Sequence, residues 1–340
     1  MGYQNIGKPR FYIDIASYFN FLGIDYDFYY DIQGVVTDLD KNLLGLNPNN
    51  MKTIIEEATD ELKILCNFKK PWNSLGYSQQ SYIGFINHNL SGSTYRISDA
   101  ENNQGIINTE MVGNDATIPN NGFSLSVFST EWEQEYMGVT KLNSSENNVY
   151  AGCFTLGFYY DMPNSADLDL TMSVEFDGYN SMQTLGGSTL TNVRYSGSPW
   201  WYDVNGNKIE PWAIGESTGV SKRNGRRTWA LKFSYMSDKD LFASNYMSNT
   251  YTENADGYDS GDIHQVEGND TFYYTLDNDD SFVAQVLNKV GNGQRFIFQP
   301  DNTNNNPDQF AICQLDQDSL EIKQVASSVY DISLKIREVW

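Results

Sequence analysis

The sequence has few of the residues from which most catalytic and metal centres are built. It contains two histidines and three cysteines in 340 residues. Cys66, Cys153 and Cys313 are far apart and lie among apolar residues, so we expect reduced, buried thiols and no disulfide framework or zinc site. A serine or cysteine nucleophile usually needs a base beside it, and neither histidine has such a neighbour. These shortages predict a non-enzymatic protein without a cofactor.

Positive charge and long apolar runs are also scarce. Lys and Arg number 22 against 44 Asp and Glu, which gives a formal net charge of -22. Such a chain is repelled by nucleic acid and by anionic lipid. No apolar run approaches the roughly 20 residues of a membrane helix, and the N-terminus lacks secretion and acylation patterns. We therefore expect neither nucleic-acid binding nor membrane insertion, and no export by the general secretory route.

The sequence is rich in aromatic residues and in alternating patterns. Aromatic residues make up 14% of the chain, with 23 Tyr and 18 Phe. Several segments alternate apolar and polar residues with a period of two, which is typical of strands with one buried face. The clearest segments are 123–127, 170–176, 229–235 and 330–336. This pattern predicts a mainly β protein, with a sandwich or jelly roll in its middle.

Three regions are predicted. Residues 1–74 form an N-terminal arm with short helices, 75–240 a β-sandwich, and 241–340 a small α+β packing domain whose helix lies across a small antiparallel sheet of three closing strands. Helical spacing predicts one helix from Ile15 to Leu22 ending at Gly23, a second from a cap at Asn50 to Leu65, and a third over residues 281–290. Polar stretches at 241–271 and 299–308 are expected to be surface loops that reach neighbouring molecules.

Four sequence blocks resemble segments of one family. They are SYIGFINHNLSGSTYRIS (81–98), TNVRYSG (191–197), GRRTWALKFSYMSDKDLF (225–242) and RFIFQPDNTNNNPDQFAICQL (295–315). In this order they are similar to galactose-binding-like β-sandwich proteins encoded among the tail and structural genes of tailed bacteriophages. The opening GKPRFYIDIASYFNFLG resembles the openings of marine phage virion proteins.

The resemblance implies a virion structural protein of the tail or its distal end and baseplate, with a jelly-roll module followed by a C-terminal packing domain. The expected location is the virion, assembled in the host cytoplasm. The expected partners are copies of the chain and other virion proteins. A carbohydrate-recognition module that contacts host glycans and a capsid decoration protein are the alternatives.

Five residues are candidates for ligand binding. Trp200, Trp201, Tyr202 and Trp212 would form an aromatic platform on which a sugar ring stacks. Alternatively, these rings plug the end of the sandwich or bury against a neighbouring subunit. His88 is either a ligand or acid–base group, or a histidine at the end of a strand whose ring nitrogens satisfy backbone groups.

Two acidic clusters have competing interpretations. Glu131, Glu133 and Glu135 alternate around Trp132 and would supply a carboxylate pair for glycoside hydrolysis, but the same pattern is typical of a solvated face. The segment 277–280 reads DNDD. It contains oxygen ligands of the kind that calcium prefers, but it lies where a helix cap is expected. The favoured interpretations are a solvated face and a cap, and no metal site is predicted.

Overall fold

A computed structural model describes most of the chain, and its architecture is mainly β, as predicted. The residues described are 7–32, 35–38, 41–50, 52–55, 62–98, 105–106, 110–112, 117–118, 120–131, 133–143, 148–176, 179–193, 200–213, 225–242, 279–291 and 293–339. The predicted polar loop 241–271 lies outside the described residues from position 243 onward.

The strands among these residues pair antiparallel. They are β1 (Arg10–Asp14), β2 (Asp27–Ile32), β3 (Val35–Asp38), β4 (Lys52–Ile55), β5 (Leu62–Asn67), β6 (Ser81–His88), β7 (Thr94–Ser98), β8 (Gly105–Ile106), β9 (Glu110–Val112), β10 (Phe123–Phe128), β11 (Tyr136–Asn143), β12 (Val149–Asp161), β13 (Thr171–Glu175), β14 (Tyr179–Gln183), β15 (Thr189–Val193), β16 (Trp201–Tyr202), β17 (Lys208–Ile209), β18 (Arg226–Ser237), β19 (Phe296–Gln299), β20 (Ala311–Leu315), β21 (Ile322–Ala326) and β22 (Val329–Glu338).

The helices are short. They are α1 (Ile15–Leu22), α2 (Trp72–Leu75), α3 (Asp238–Leu241) and α4, which is a π-helical turn, Val283–Leu287, continued by Asn288–Val290. Single 3₁₀ turns cover Lys41–Leu43, Ser78–Gln80, Pro211–Ala213 and Pro307–Gln309.

One large sheet forms the centre of the molecule. Its twelve strands include the path β13-β18-β22-β20-β19-β1-β12-β6-β10-β9, with β21 paired to β22 and β4 paired to β12. A second, six-stranded sheet has the order β3-β2-β5-β11-β7-β8. The strands β14 and β15 form a separate two-stranded hairpin, and so do β16 and β17.

Three apolar clusters pack against the large sheet. The first lies between β6 and β12 of this sheet and the second sheet, where the rings of Phe28 and Phe154 stack with centroids 6.0 Å apart. The second lies under α4, where Phe282 meets Phe11 with centroids 6.0 Å apart. The third covers the opposite face and contains Tyr12. Because Phe11 and Tyr12 alternate between clusters, the middle of the sheet is buried on both faces.

The N-terminal helix forms as predicted. Asp14 caps α1 by accepting a hydrogen bond from the Ser17 backbone N–H, and Gly23 ends the helix in the left-handed region with φ 67°. Glycine adopts this conformation without the steric penalty of a Cβ atom.

The predicted helix from Asn50 to Leu65 is wrong. Its described residues are extended in Lys52–Ile55 and in Leu62–Asn67. The β-branched run Thr53, Ile54 and Ile55 favours a strand. In addition, β5 pairs with both β2 and β11, so hydrogen bonds on both edges stabilise the extended form.

The C-terminal region contains the predicted helix and closing strands, with two differences. A fourth strand, β21, follows β20 in the sequence and precedes β22. The closing strands also continue the large sheet, since β19 pairs with β1 and β22 pairs with β18. The closing strands therefore do not form the predicted small sheet; they belong to the large sheet, which contains strands from all three predicted regions.

Candidate functional site

Two of the four candidate platform rings are buried in the third apolar cluster. Trp201 and Trp212 are only 4% and 3% exposed and lie with their centroids 5.4 Å apart. Trp212 also stacks on Phe310 at 6.0 Å and meets Phe123 edge-on at 5.4 Å. These rings close the third apolar cluster, so their faces are not open to a sugar.

The other two rings lie closer to solvent. Trp200 is half-buried, and the Lys208 ammonium lies 5.5 Å from the centroid of its ring. Tyr202 is 39% exposed. Of the four predicted platform residues, Tyr202 therefore offers the most accessible ring.

A small cavity lies beside the two buried rings. Its volume is about 50 Å³, and its lining includes Trp201, Trp212 and Arg295. Small-molecule sites usually measure about 300–1,000 Å³, whereas one water in the liquid takes about 30 Å³. The cavity is large enough for a water molecule but too small for a sugar ring.

His88 lies at the end of β6 and is buried. Its Nδ1 accepts a hydrogen bond of 3.1 Å from the Leu90 backbone N–H, so the proton of the neutral ring is on Nε2. Burial lowers the pKa of His88 to about 3, partly offset by the Phe123 backbone carbonyl. The ring is neutral at pH 7, and its contact with Leu90 matches the interpretation of His88 as a strand-end residue.

The asparagines that flank His88 were not predicted as important residues. Asn87 has φ 57°, and its amide donates hydrogen bonds to the backbone carbonyls of Pro48 at 2.7 Å and Tyr202 at 3.0 Å. Asn89 Oδ1 accepts a hydrogen bond of 2.7 Å from the Tyr150 backbone N–H. The Asn-His-Asn segment therefore joins β6 to three other parts of the chain.

A buried polar network surrounds Asp14. Asp14 Oδ1 accepts a hydrogen bond of 2.9 Å from the Thr155 hydroxyl, which lies 2.9 Å from the Tyr82 hydroxyl. Asp14 Oδ2 accepts bonds from the Ser17 N–H and hydroxyl at 2.8 and 2.6 Å. Burial raises the pKa of Asp14, and these hydrogen bonds oppose that rise. The network fixes α1 to β12. In the sequence, an Asp three residues before a Ser at the predicted helix start indicates that Asp14 caps the helix.

The acidic candidates lie at the surface. Glu131 and Glu133 line an open groove of about 410 Å³, Glu131 accepts a hydrogen bond of 3.2 Å from Gln79, and Glu135 is exposed. Trp132 lies outside the described residues. Such accessible carboxylates match the solvated face that the sequence favours.

The acidic segment before α4 contributes to the helix start. Asp279 accepts a hydrogen bond of 2.9 Å from the Ser281 N–H, and the Ser281 hydroxyl accepts one of 3.4 Å from the Ala284 N–H. Asp277 and Asn278 lie outside the described residues. Within the described part of the chain, no cluster of three His, Cys, Asp or Glu side chains is arranged to hold a metal ion.

A set of exposed apolar side chains lies on consecutive elements of the chain, around β13, which is the end strand of the large sheet, and on the hairpin that follows it. We call it the apolar edge. Its members lie on or beside β13 and on the β14–β15 hairpin: Leu168, Met172, Phe176, Met182, Leu185 and Leu190. Large exposed apolar side chains are typical of protein–protein contacts where they adjoin one another. The sequence pattern predicted a buried side for β13, and this is wrong for Met172 and Phe176, whose side chains are open to solvent.

Comparison with family models, with curated proteins and with solved structures gave no match for this chain. Among the described residues, no helix is both long and apolar enough to cross a membrane.

Proposed function

We propose that this chain is a non-enzymatic structural component of a tailed-phage virion, in the tail or its distal end and baseplate. It acts by binding copies of itself and other virion proteins. The observation that carries the proposal is the apolar edge, because an isolated protein gains nothing from leaving such side chains in water.

The arrangement of the two sheets supports a jelly-roll or galactose-binding-like module in this role. Strands β6, β12 and β10 face the second sheet across the first apolar cluster, with Phe85 and Phe154 on one side and Ile64 and Val139 on the other. Two packed antiparallel sheets are the common feature of these folds.

The family-like blocks also favour a structural role. The HNL block ends β6 and holds neighbouring segments through Asn87 and Asn89, while blocks 225–242 and 295–315 include β18, β19 and β20. These blocks supply sheet pairings and joints, which supports a scaffold role for them.

The glycan-binding alternative has less support than assembly. Trp201 and Trp212 would have to leave the core before a sugar could stack on them. A glycan array tests the remaining possibility through Tyr202→Ala: specific binding by the wild type that this change abolishes would favour recognition over a purely structural role.

The main proposal is tested by locating this chain in virus particles. Cryo-EM of intact particles, with mass spectrometry of their proteins, should find the chain in repeated copies in a tail or baseplate. Density on the capsid surface would support the decoration alternative instead. Absence of the chain from all purified particles would contradict the proposal.

A further inference from the structure

The apolar edge has two parts, of which the first is the open side of β13. Met172 lies opposite Trp229 on the neighbouring strand, so both side chains are on the same face of the sheet. Trp229 is 2% exposed in the second apolar cluster, whereas Met172 is 53% exposed and Phe176, just beyond β13, is 67% exposed. The face that is core at β18 is therefore open to solvent at β13.

The second part is the β14–β15 hairpin. Met182 and Leu190 lie opposite each other and form an apolar pair on one face of the hairpin, next to the pair Asn180 and Asn192. Leu185 at the tip is fully exposed. Residues 179–193 contain no charged side chain. A two-stranded hairpin alone is marginally stable in water and normally packs on another surface.

The charges at this edge suit contact between identical chains. Two copies with a net charge of -22 repel each other at long range. The hairpin is uncharged, and the one charged residue of β13, Glu175, pairs with Arg337 at 2.7 Å. Asp167 and the exposed Asp169 flank Leu168, so the region where identical acidic molecules can approach without uncompensated charge is the hairpin together with β13 itself.

We propose that a second copy of this chain docks at the apolar edge, with the β14–β15 hairpin of each copy lying across the open side of β13 in the other. The proposal rests on the assembly role above and names its contact surface. Strands β13, β14 and β15 each have five residues, so their lengths match. The six apolar side chains of each copy would bury on the order of 1,000 Å² across two copies, near the lower limit of specific interfaces.

Two single substitutions test this contact in the full-length chain. Met172→Glu changes the acceptor strand and Met182→Glu changes the hairpin, and both sites are exposed. Val325→Glu is the matched control, because Val325 is 42% exposed on another strand, β21. Sedimentation velocity should show self-association weakened about tenfold or more by either test change and unchanged by the control. Circular dichroism checks that each variant is folded.

Mixing the two test variants separates this arrangement from a hairpin-to-hairpin contact. An equimolar mixture retains one intact hairpin–β13 contact per pair, so it should associate more strongly than either variant alone. If the mixture is no stronger than the separate variants, the reciprocal arrangement is wrong. If the wild type associates and both variants associate as strongly as the wild type, the apolar edge is not the contact. The assembly role then stands. A monomeric wild type contradicts both.

Discussion

At the scale of single residues, the most informative positions are those where one side chain joins several segments. The sequence drew attention to His88 and to the tryptophans because of their chemistry. The joining residues are Asn87 and Asp14, whose partners lie far away in the sequence. Long-range hydrogen bonds leave no local periodicity, so sequence patterns could not predict them. In contrast, the burial of Cys66, Cys153 and Cys313 was predicted from their apolar neighbours in the sequence, and it is confirmed.

Asn87→Ala should lower the free energy of unfolding by about 3 kcal/mol. It removes the hydrogen bonds to Pro48 and Tyr202, and alanine tolerates a positive φ poorly. Asn87→Gly keeps the backbone freedom and loses only the side-chain bonds, so it should cost less. Urea unfolding of both variants measures the difference, and equal stability of Asn87→Ala and wild type would contradict the joining role.

The stability of the fold should fall as the pH is lowered from 6.5 towards 3, with His88 as one cause. The folded chain keeps this ring neutral because burial lowers its pKa to about 3, while the unfolded chain takes up a proton near 6.5. Between these two pKa values the unfolded state binds one more proton than the folded state. The free energy of unfolding therefore falls by up to about 1.4 kcal/mol for each pH unit that the pH is lowered. Urea unfolding between pH 7.5 and 5 should show a shallower decline in His88→Gln than in wild type; identical declines would exclude this contribution.

At the scale of elements, local signals predicted the helices well only where capping and periodicity agreed. Helix α1 has both a cap and a left-handed glycine, and it forms. Residues 52–67 have a weak helical spacing, but pairing with strands distant in the sequence decides the structure of 52–55 and 62–67. The alternating segments of β10, β13, β18 and β22 are confirmed as strands, because a period of two is a local property. Their order in the sheet depends on long-range pairing and was not predicted.

The attachment of α1 to β12 should depend on Asp14. Asp14→Ala removes the helix cap and the bond to Thr155, and it leaves buried backbone donors without their acceptor, so we expect a loss of about 3 kcal/mol. Ser17→Ala removes only one side-chain hydrogen bond and should cost about 1 kcal/mol. Thermal and urea unfolding measure both changes. An equal cost for the two variants would show that Asp14 acts only through Ser17.

At the scale of the whole molecule, strong negative charge opposes the proposed self-association, which burial of the apolar edge would favour. The balance should depend on salt. Raising the ionic strength from about 0.01 M to about 0.15 M shortens the Debye length from about 30 Å to about 8 Å, which screens repulsion between copies. We therefore expect tighter self-association at the higher salt concentration, measured by light scattering. An uncharged solute is the control and should not have this effect, because it does not screen charge. Weaker association at high salt would indicate a contact dominated by opposite charges.

The most direct test of the assembly account is the molar mass of the wild-type chain in solution. Sedimentation equilibrium over a wide range of concentrations should give a mass that rises above the 38.6 kDa of one chain as the concentration increases. A mass that stays at 38.6 kDa at every concentration would contradict the claim that this protein works by binding copies of itself.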